Sequence, residues 1–206
     1  MTIGLEIPNT PPVKILSFDP GTTVMGWAIS EYDSKTGVLS VLYHGTIKGT
    51  KSAKKLKQEV EDYGPRLIAL SIIEDEVRSL VTTHQPNFVA SEDTFHNPRT
   101  PNAHSALTLC IYSIERMLRK TYKELVLKKT TAKVLHKFAP VLVKSIASGK
   151  GTSMKQEMIV SITNNPFIQF RSPMDEVILC EHEADAIAVG YTFAKTELFA
   201  LLHLVE

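Results

Sequence analysis

The chain has 206 residues, of which 43% are apolar and 22% charged, so its length and composition are those of a globular protein with one buried core. No apolar run reaches the roughly 18–20 residues that a bilayer-crossing helix needs, and residues 1–12 lack the basic and then apolar order of a secretory signal. These features exclude the integral membrane and signal-bearing secreted classes. We expect a single domain over residues 1–206, in which 1–12 form a flexible N-terminal segment.

Charge is distributed unevenly along the chain, although the net charge is only +1. Residues 116–155 carry eleven Lys and Arg against one acid, a net of +10, whereas residues 174–206 carry seven acids against one lysine, a net of −6. A basic surface beside an acidic cluster suits a nuclease, because such an enzyme must attract phosphates and hold metal ions. The alternative is that both segments are ordinary solvated helix faces.

The chain opens with three strand candidates. Val13–Phe18, Gly26–Tyr32 and Val38–Tyr43 are β-rich runs separated by turn sequences, and they predict an antiparallel meander. Residues 51–83 then have helical periodicity, which Gly64-Pro65 breaks or kinks.

The middle of the chain predicts a strand, a helix and a further strand. Asn87–Ser91 is a short apolar strand candidate, and a helix with an apolar stripe begins at Thr100-Pro101. The last strand is either Glu124–Leu127 or Val134–Phe138.

Three helices are predicted in the C-terminal part. The first begins at Ala139-Pro140 and ends at Gly149, and Ser153 caps the second, from Met154 to about Thr163. The third runs from about Glu181 to at least Phe193. This succession of strands and helices predicts an α/β protein with a mixed five-stranded sheet flanked by helices.

Acidic residues stand at the ends of several predicted elements. Asp19 leaves the first strand, Glu92 leaves the fourth, and Asp185 lies on the last helix with His182 one turn before it. Ligands collect where the strands of an α/β sheet end, and carboxylates that converge there repel one another without cations. Oxygen ligands of this kind suit Mg²⁺ or Mn²⁺, and Mn²⁺ tolerates an imidazole better.

Each of these acids also has an ordinary structural explanation. Asp19-Pro20-Gly21 is a common turn sequence, Glu92 can simply end a strand, and Glu181, Glu183 and Asp185 favour a helix N-terminus through the helix dipole.

Four motifs resemble those of one known family. The sequences F-D-P-G-T-T-V-M-G-W-A at 18–28, S-E-D-T-F at 91–95 and H-E-A-D-A-I-A-V-G at 182–190 are similar to the three active-site motifs of the RuvC family of Holliday junction resolvases. The sequence V-K-S-I-A-S-G-K-G-T-S-M-K-Q-E-M at 143–158 resembles that family's basic loop. The motifs follow in order, and the likeness runs from about Ile15 to Phe193.

The resemblance implies a ribonuclease H-like fold and a homodimeric endodeoxyribonuclease that resolves four-way DNA junctions by paired nicking. It implies two Mg²⁺ ions per active site, for which Mn²⁺ can substitute, with Asp19 bridging the ions and Glu92 and Asp185 completing their shells. His182 stands where many relatives carry an aspartate, and it is either a metal ligand or the residue that positions the attacking water.

The resemblance also assigns residues to DNA. Lys144 takes the place of a DNA-contacting lysine and Lys155 that of the catalytic lysine, which also contacts DNA. Phe95 resembles the aromatic residue that such enzymes insert at the branch point, where it stacks on an unpaired base.

Several rival functions share some of these features. They are a broader nuclease for forks and flaps, a junction-binding relative without catalysis, and a related nuclease for ribosomal RNA precursors. D-P-G-T-T also resembles a phosphate loop of the actin and sugar-kinase ATPases, but that class needs two such domains, so we expect no nucleotide cofactor.

The chain departs from the bacterial pattern in a lysine-rich region at 122–131 and a polar stretch at 164–181. These departures indicate a divergent branch, such as a bacteriophage-encoded member, acting in the cytoplasm of a bacterium or of a phage-infected host.

Overall fold

A six-stranded mixed β-sheet forms the centre of the protein. The computed structural model describes residues 12–50, 56–94, 101–125, 134–171 and 177–198. The strands are β1 (Val13–Asp19), β2 (Met25–Asp33), β3 (Val38–Ile47), β4 (Phe88–Glu92), β5 (His136–Phe138) and β6 (Ile168–Phe170). Their order across the sheet is β5-β4-β1-β2-β3-β6. Strands β1, β2 and β3 are antiparallel neighbours, as predicted, while β1–β4, β4–β5 and β3–β6 pair in parallel.

Helices cover both faces of this sheet. They are α1 (Lys57–Tyr63), α2 (Pro65–His84), α3 (Pro101–Leu125), α4 (Pro140–Ser148), α5 (Lys155–Thr163) and α6 (Glu181–Phe193), and a π-helical turn continues α6 over Ala194–Leu198. The predicted break at Gly64-Pro65 is confirmed, since α1 ends at Tyr63, Gly64 is its C-cap and Pro65 begins α2. Within the described ranges, no helix is long and apolar enough to cross a membrane.

The alternation of side chains along the strands produces two cores, one on each face of the sheet. Leu16 and Phe18 of β1 pack with α2 and α3, whereas Ile15 of the same strand packs with α4, α5 and α6. Helix α6 is buried from Ala186 to Phe193 and lies directly on β1, where a Cβ at Gly190 would come 2.9 Å from Ser17 Oγ. The second core therefore fixes α6 against the centre of the sheet.

The structure corrects the predicted strand count from five to six. Strand β6 lies within the polar stretch at 164–181, for which no strand was predicted, and it pairs with Leu39–Val41 of β3. Three residues are too few to show the alternating pattern that identifies a strand in sequence. Two positions were predicted for the last strand, and the structure places this strand, β5, within the second of them, Val134–Phe138. In the first, Glu124 belongs to α3 and Leu127 lies outside the described residues.

The start of α5 is also corrected. Met154, rather than Ser153, is the N-cap residue, and its backbone N–H donates to Glu157 Oε2 at 2.8 Å. The Ser153 hydroxyl instead donates to the Lys150 carbonyl at 2.9 Å, so it stabilises the preceding turn. Residues 1–11 of the expected N-terminal segment lie outside the described residues.

Candidate active site

Two of the predicted acids lie at the ends of neighbouring parallel strands. Asp19 is the last residue of β1 and Glu92 the last residue of β4. Phe18 is in register with Ser91, so both acids follow at the same edge of the sheet. The third acid, Asp185, lies in the second turn of α6, which packs on β1 and β4. The structure therefore brings Asp19, Glu92 and Asp185 to one edge.

A glycine on β2 lets the first turn of α6 approach this edge. Gly26 is in register with Asp19, and a Cβ at Gly26 would lie only 1.9 Å from the backbone oxygen of His182. A contact that short with a backbone atom is impossible for any side chain, so only glycine fits. The close approach places His182 beside the end of β1.

His182 binds the central acid of the group. Its Nδ1 atom lies 2.6 Å from Asp19 Oδ2. This hydrogen bond raises the pKa of His182, and the negative charges of Asp19 and Glu181 act in the same direction, while partial burial opposes them. A protonated His182 is therefore favoured beside the Asp19 carboxylate.

The surroundings of Glu92 and Asp185 disfavour the charged forms of both side chains. Burial raises the pKa of Glu92 to about 8, and the charges of Asp19 and Asp185 and a hydrogen bond with Asp19 add to this effect. Burial likewise raises the pKa of Asp185 to about 6, with a further contribution from Asp19. Lys144 acts against both shifts. The three acids thus share one partly buried region in which an additional positive charge would be stabilising.

The chemistry of these donors fits a divalent cation, although their present arrangement is not a closed metal site. Within the described part of the chain, no three His, Cys, Asp or Glu side chains form a ready-made group of metal ligands. Instead, His182 hydrogen-bonds to Asp19, and Asp19 acts electrostatically on Glu92. Carboxylates whose pKa values are raised by burial and by mutual repulsion suit a hard cation such as Mg²⁺, which would supply the compensating positive charge. Residues that would hold it are Asp19, Glu92 and Asp185.

Both predicted lysines lie close to the acids. Lys144 is half-buried on α4, and its charge acts on Glu92 and Asp185. Lys155 is the first residue of α5, and its Nζ atom lies 2.6 Å from Glu181 Oε2. Glu181, and to a smaller extent Asp185 and Asp19, raise the pKa of Lys155. Positive charge thus borders the acidic group.

Phe95 lies outside the described residues, which stop at Thr94 on this side of the gap. Its role at a branch point remains a prediction.

Two acids beside the site have partners that the sequence analysis did not identify. Glu183 Oε2 accepts the Cys180 backbone N–H at 2.9 Å, as an N-terminal capping residue does, and its Oε1 lies 2.8 Å from His44 Nδ1. Glu181 instead faces Lys155 and His182. In the sequence, the position of Glu181 next to His182 was the one indication that Glu181 belongs to the site. An acid at a helix N-terminus is equally well explained by the helix dipole.

Comparison with known proteins identifies similar sequences and folds. Residues 15–193 match the family described as "Crossover junction endodeoxyribonuclease RuvC". The protein of that description from Rickettsia felis is 28% identical over 178 residues, which cover 86% of this chain and 95% of the relative. The fold resembles that of Thermus thermophilus RuvC, with a TM-score of 0.65, 18% identity and coverage of 91% of this chain and 97% of the other. It also resembles T. thermophilus RuvC in complex with Holliday junction substrate, with a TM-score of 0.61, 17% identity and coverage of 92% and 97%.

Proposed function

Because the chain belongs to the RuvC family of crossover junction endodeoxyribonucleases, we propose that it is a metal-dependent endonuclease that resolves four-way DNA junctions. The observation that carries this proposal is the convergence of Asp19, Glu92 and Asp185 at one edge of the sheet, where burial and mutual repulsion raise the pKa of Glu92 to about 8. A protein that only binds DNA gains nothing from such repelling carboxylates. Catalysis with bound cations explains why they are together.

The proposed cofactor is a pair of Mg²⁺ ions, for which Mn²⁺ can substitute. When bound, two divalent ions stabilise the attacking and the leaving oxygen of an in-line displacement at phosphorus. Asp19 is the residue best placed to serve both ions, because it interacts with Glu92, Asp185 and His182. Glu92 and Asp185 would complete the two shells. His182 would either join them, which requires a neutral imidazole ring, or orient the attacking water.

The basic residues supply attraction to the DNA backbone. Lys144 lies beside the acids on α4, and Lys155 lies beside them at the start of α5. A phosphate that enters the acidic group would otherwise be repelled by it, so these two ammonium groups offset that repulsion. We assign to Lys155 the further role of neutralising charge that develops on the scissile phosphate. Phe95 is proposed to stack on a base at the branch point.

A homodimer with one active site in each subunit is proposed, because symmetric nicking of a junction requires two sites. Helix α3 offers a surface for a second copy, since Leu109 and Tyr112 lie one turn apart and are 44% and 64% exposed.

Within each subunit the two cores share one sheet, which supports a single domain.

A second candidate is a nuclease of broader specificity, acting on forks and flaps. The same acids and lysines would serve it, and only the shape of the preferred DNA differs. One assay separates these functions: synthetic four-way junction, fork, flap, duplex and single strand are each incubated with Mg²⁺, Mn²⁺ or a chelator and analysed on a gel.

Paired nicks in the junction, formed with metal and absent with chelator, are expected. Equal cleavage of forks and flaps would favour the broader nuclease. Junction binding without cleavage under any metal condition would overturn the enzymatic function.

A further inference from the structure

A series of charged side chains connects Lys155 at the start of α5 to Asp19 at the end of β1. Lys155 Nζ lies 2.6 Å from Glu181 Oε2, and Glu181 Oε1 lies 3.6 Å from His182 Nε2. The other nitrogen of the same imidazole lies 2.6 Å from Asp19 Oδ2. Glu181 is therefore the link between the proposed catalytic lysine and the acidic group, and each of its two oxygens faces a different nitrogen.

The side chains at the two ends of this series differ strongly in exposure. The Lys155 side chain is 73% exposed, whereas Glu181 is 33% and Asp19 only 15% exposed. A lysine with that exposure has many accessible rotamers, and pairing with a partly buried carboxylate on another helix restricts it to one region. Because Asp185 and Asp19 also act electrostatically on the lysine, that region borders the acidic group.

We propose that Glu181 is a positioning residue, which holds the Lys155 ammonium beside the acidic group until a DNA phosphate takes its place. The inference rests on the proposed function, and it adds a residue that does not touch DNA or metal. An ion pair this exposed is weak, so an incoming phosphate can replace Glu181 without a large penalty. The lysine is then delivered to the phosphate from a defined position rather than from solvent.

Competition between Glu181 and phosphate has a measurable consequence for DNA binding. The Glu181→Gln variant removes the carboxylate that pairs with Lys155, so binding of a four-way junction in chelator should tighten about threefold. The slope of log affinity against log salt should stay close to that of the parent, because Lys155 contacts one phosphate in both complexes, whereas Lys155→Ala should reduce the slope by about 0.9. In a Lys155→Ala background, the same Glu181→Gln change should have no effect. A tightening that persists without Lys155 would reflect general charge loss and would overturn the inference.

Positioning also predicts opposite effects on binding and on catalysis. In single-turnover cleavage at saturating enzyme, Glu181→Gln should be about tenfold slower although it binds more tightly, because a misplaced cation loses part of its transition-state effect. Damage to the start of α6 would weaken both binding and cleavage, and this result would contradict a positioning role. Glu76→Gln is the matched control, since Glu76 is an exposed acid on α2, on the other face of the sheet, and both parameters should stay at parental values.

A measurement on the protein alone separates this inference from the proposed function. Lys155 acylation by an amine-reactive reagent, read by mass spectrometry and normalised to the exposed Lys150, should be at least threefold faster in Glu181→Gln than in the parent. Equal acylation in the two proteins would overturn the inference even where junction cleavage is intact. If acylation is faster in Glu181→Gln but the parent does not cleave junctions, the pairing of Lys155 with Glu181 is supported and the proposed enzymatic function is rejected.

Discussion

Nδ1 of His182 lies 2.6 Å from Oδ2 of Asp19, so the carboxylate at the end of β1 is bound by an imidazole from α6. The same carboxylate interacts with Glu92 and Asp185. Asp19 therefore interacts with His182, Glu92 and Asp185, so removal of its charge affects the whole acidic group.

Replacement of Asp19 with asparagine keeps the shape of the side chain and removes its charge. We expect single-turnover cleavage of a four-way junction to fall about a thousandfold or more, because the proposed metal ions lose their shared ligand. Junction affinity in chelator should stay within about threefold of the parent, since the lysines are untouched. Cleavage at the parental rate by Asp19→Asn would contradict the assignment of the site.

The raised pKa of Glu92 predicts that the metal-free protein becomes less stable as pH rises. An ordinary value is 4.5 and the folded value is about 8, so between these values the folded state binds more protons than the unfolded state. The free energy of unfolding then decreases with pH through this window. In chelator, the melting temperature should fall by about 5 °C between pH 5 and pH 8.

Two comparisons test whether Glu92 causes this fall. The Glu92→Gln variant should lose most of it, because the amide does not titrate, and excess Mg²⁺ should reduce it in the parent. A melting temperature that rises over the same range in chelator would contradict the raised pKa of Glu92.

Lys144 is expected to contribute a sequence-independent phosphate contact. Lys144→Ala should weaken binding by a similar factor for junctions of different sequence and reduce the salt slope by about 1. Lys120, an exposed lysine on α3 on the opposite face of the sheet, is the matched control. If Lys120→Ala and Lys144→Ala give the same slope, Lys144 has no special role.

The proposed dimer surface on α3 is tested by charge. Tyr112→Glu should convert a dimer into a monomer in light scattering after gel filtration, because an acid at an apolar contact is strongly unfavourable. Tyr63 on α1 is also 64% exposed, so Tyr63→Glu is a control matched in residue type and exposure. Dimers that persist in Tyr112→Glu would place the contact elsewhere.

The close approach at Gly26 predicts a large effect from one methyl group. Gly26→Ala places a Cβ 1.9 Å from the His182 oxygen, so α6 must shift, and we expect a loss of about 3 kcal/mol in the free energy of unfolding by urea. Gly149 has a φ of 77° and nothing within 4 Å of its Cβ position, so Gly149→Ala should cost only about 1 kcal/mol of backbone strain. Equal losses would mean that α6 does not approach β2 this closely.

The sequence predicted those parts of the molecule that follow from local patterns. The meander of β1, β2 and β3, the break at Gly64-Pro65 and the helix at Glu181 all have turn, proline or periodicity signals over many residues. Strand β6 has only three residues and depends on pairing with β3, which no local pattern encodes. The pairing of Lys155 with Glu181 was missed for the same reason, because it joins the starts of two helices that only the tertiary fold brings together.

Helix α6 carries His182 and Asp185 and is packed firmly against the sheet. It is buried from Ala186 to Phe193 and packs on β1, β2, β3 and β4, which fixes the backbone that carries His182 and Asp185 against the sheet. A branched DNA would then have to bend to bring its phosphate to these residues. Discrimination among DNA shapes would thereby become a matter of DNA deformability, since the mechanical cost of reaching a stationary centre differs from one branched structure to another.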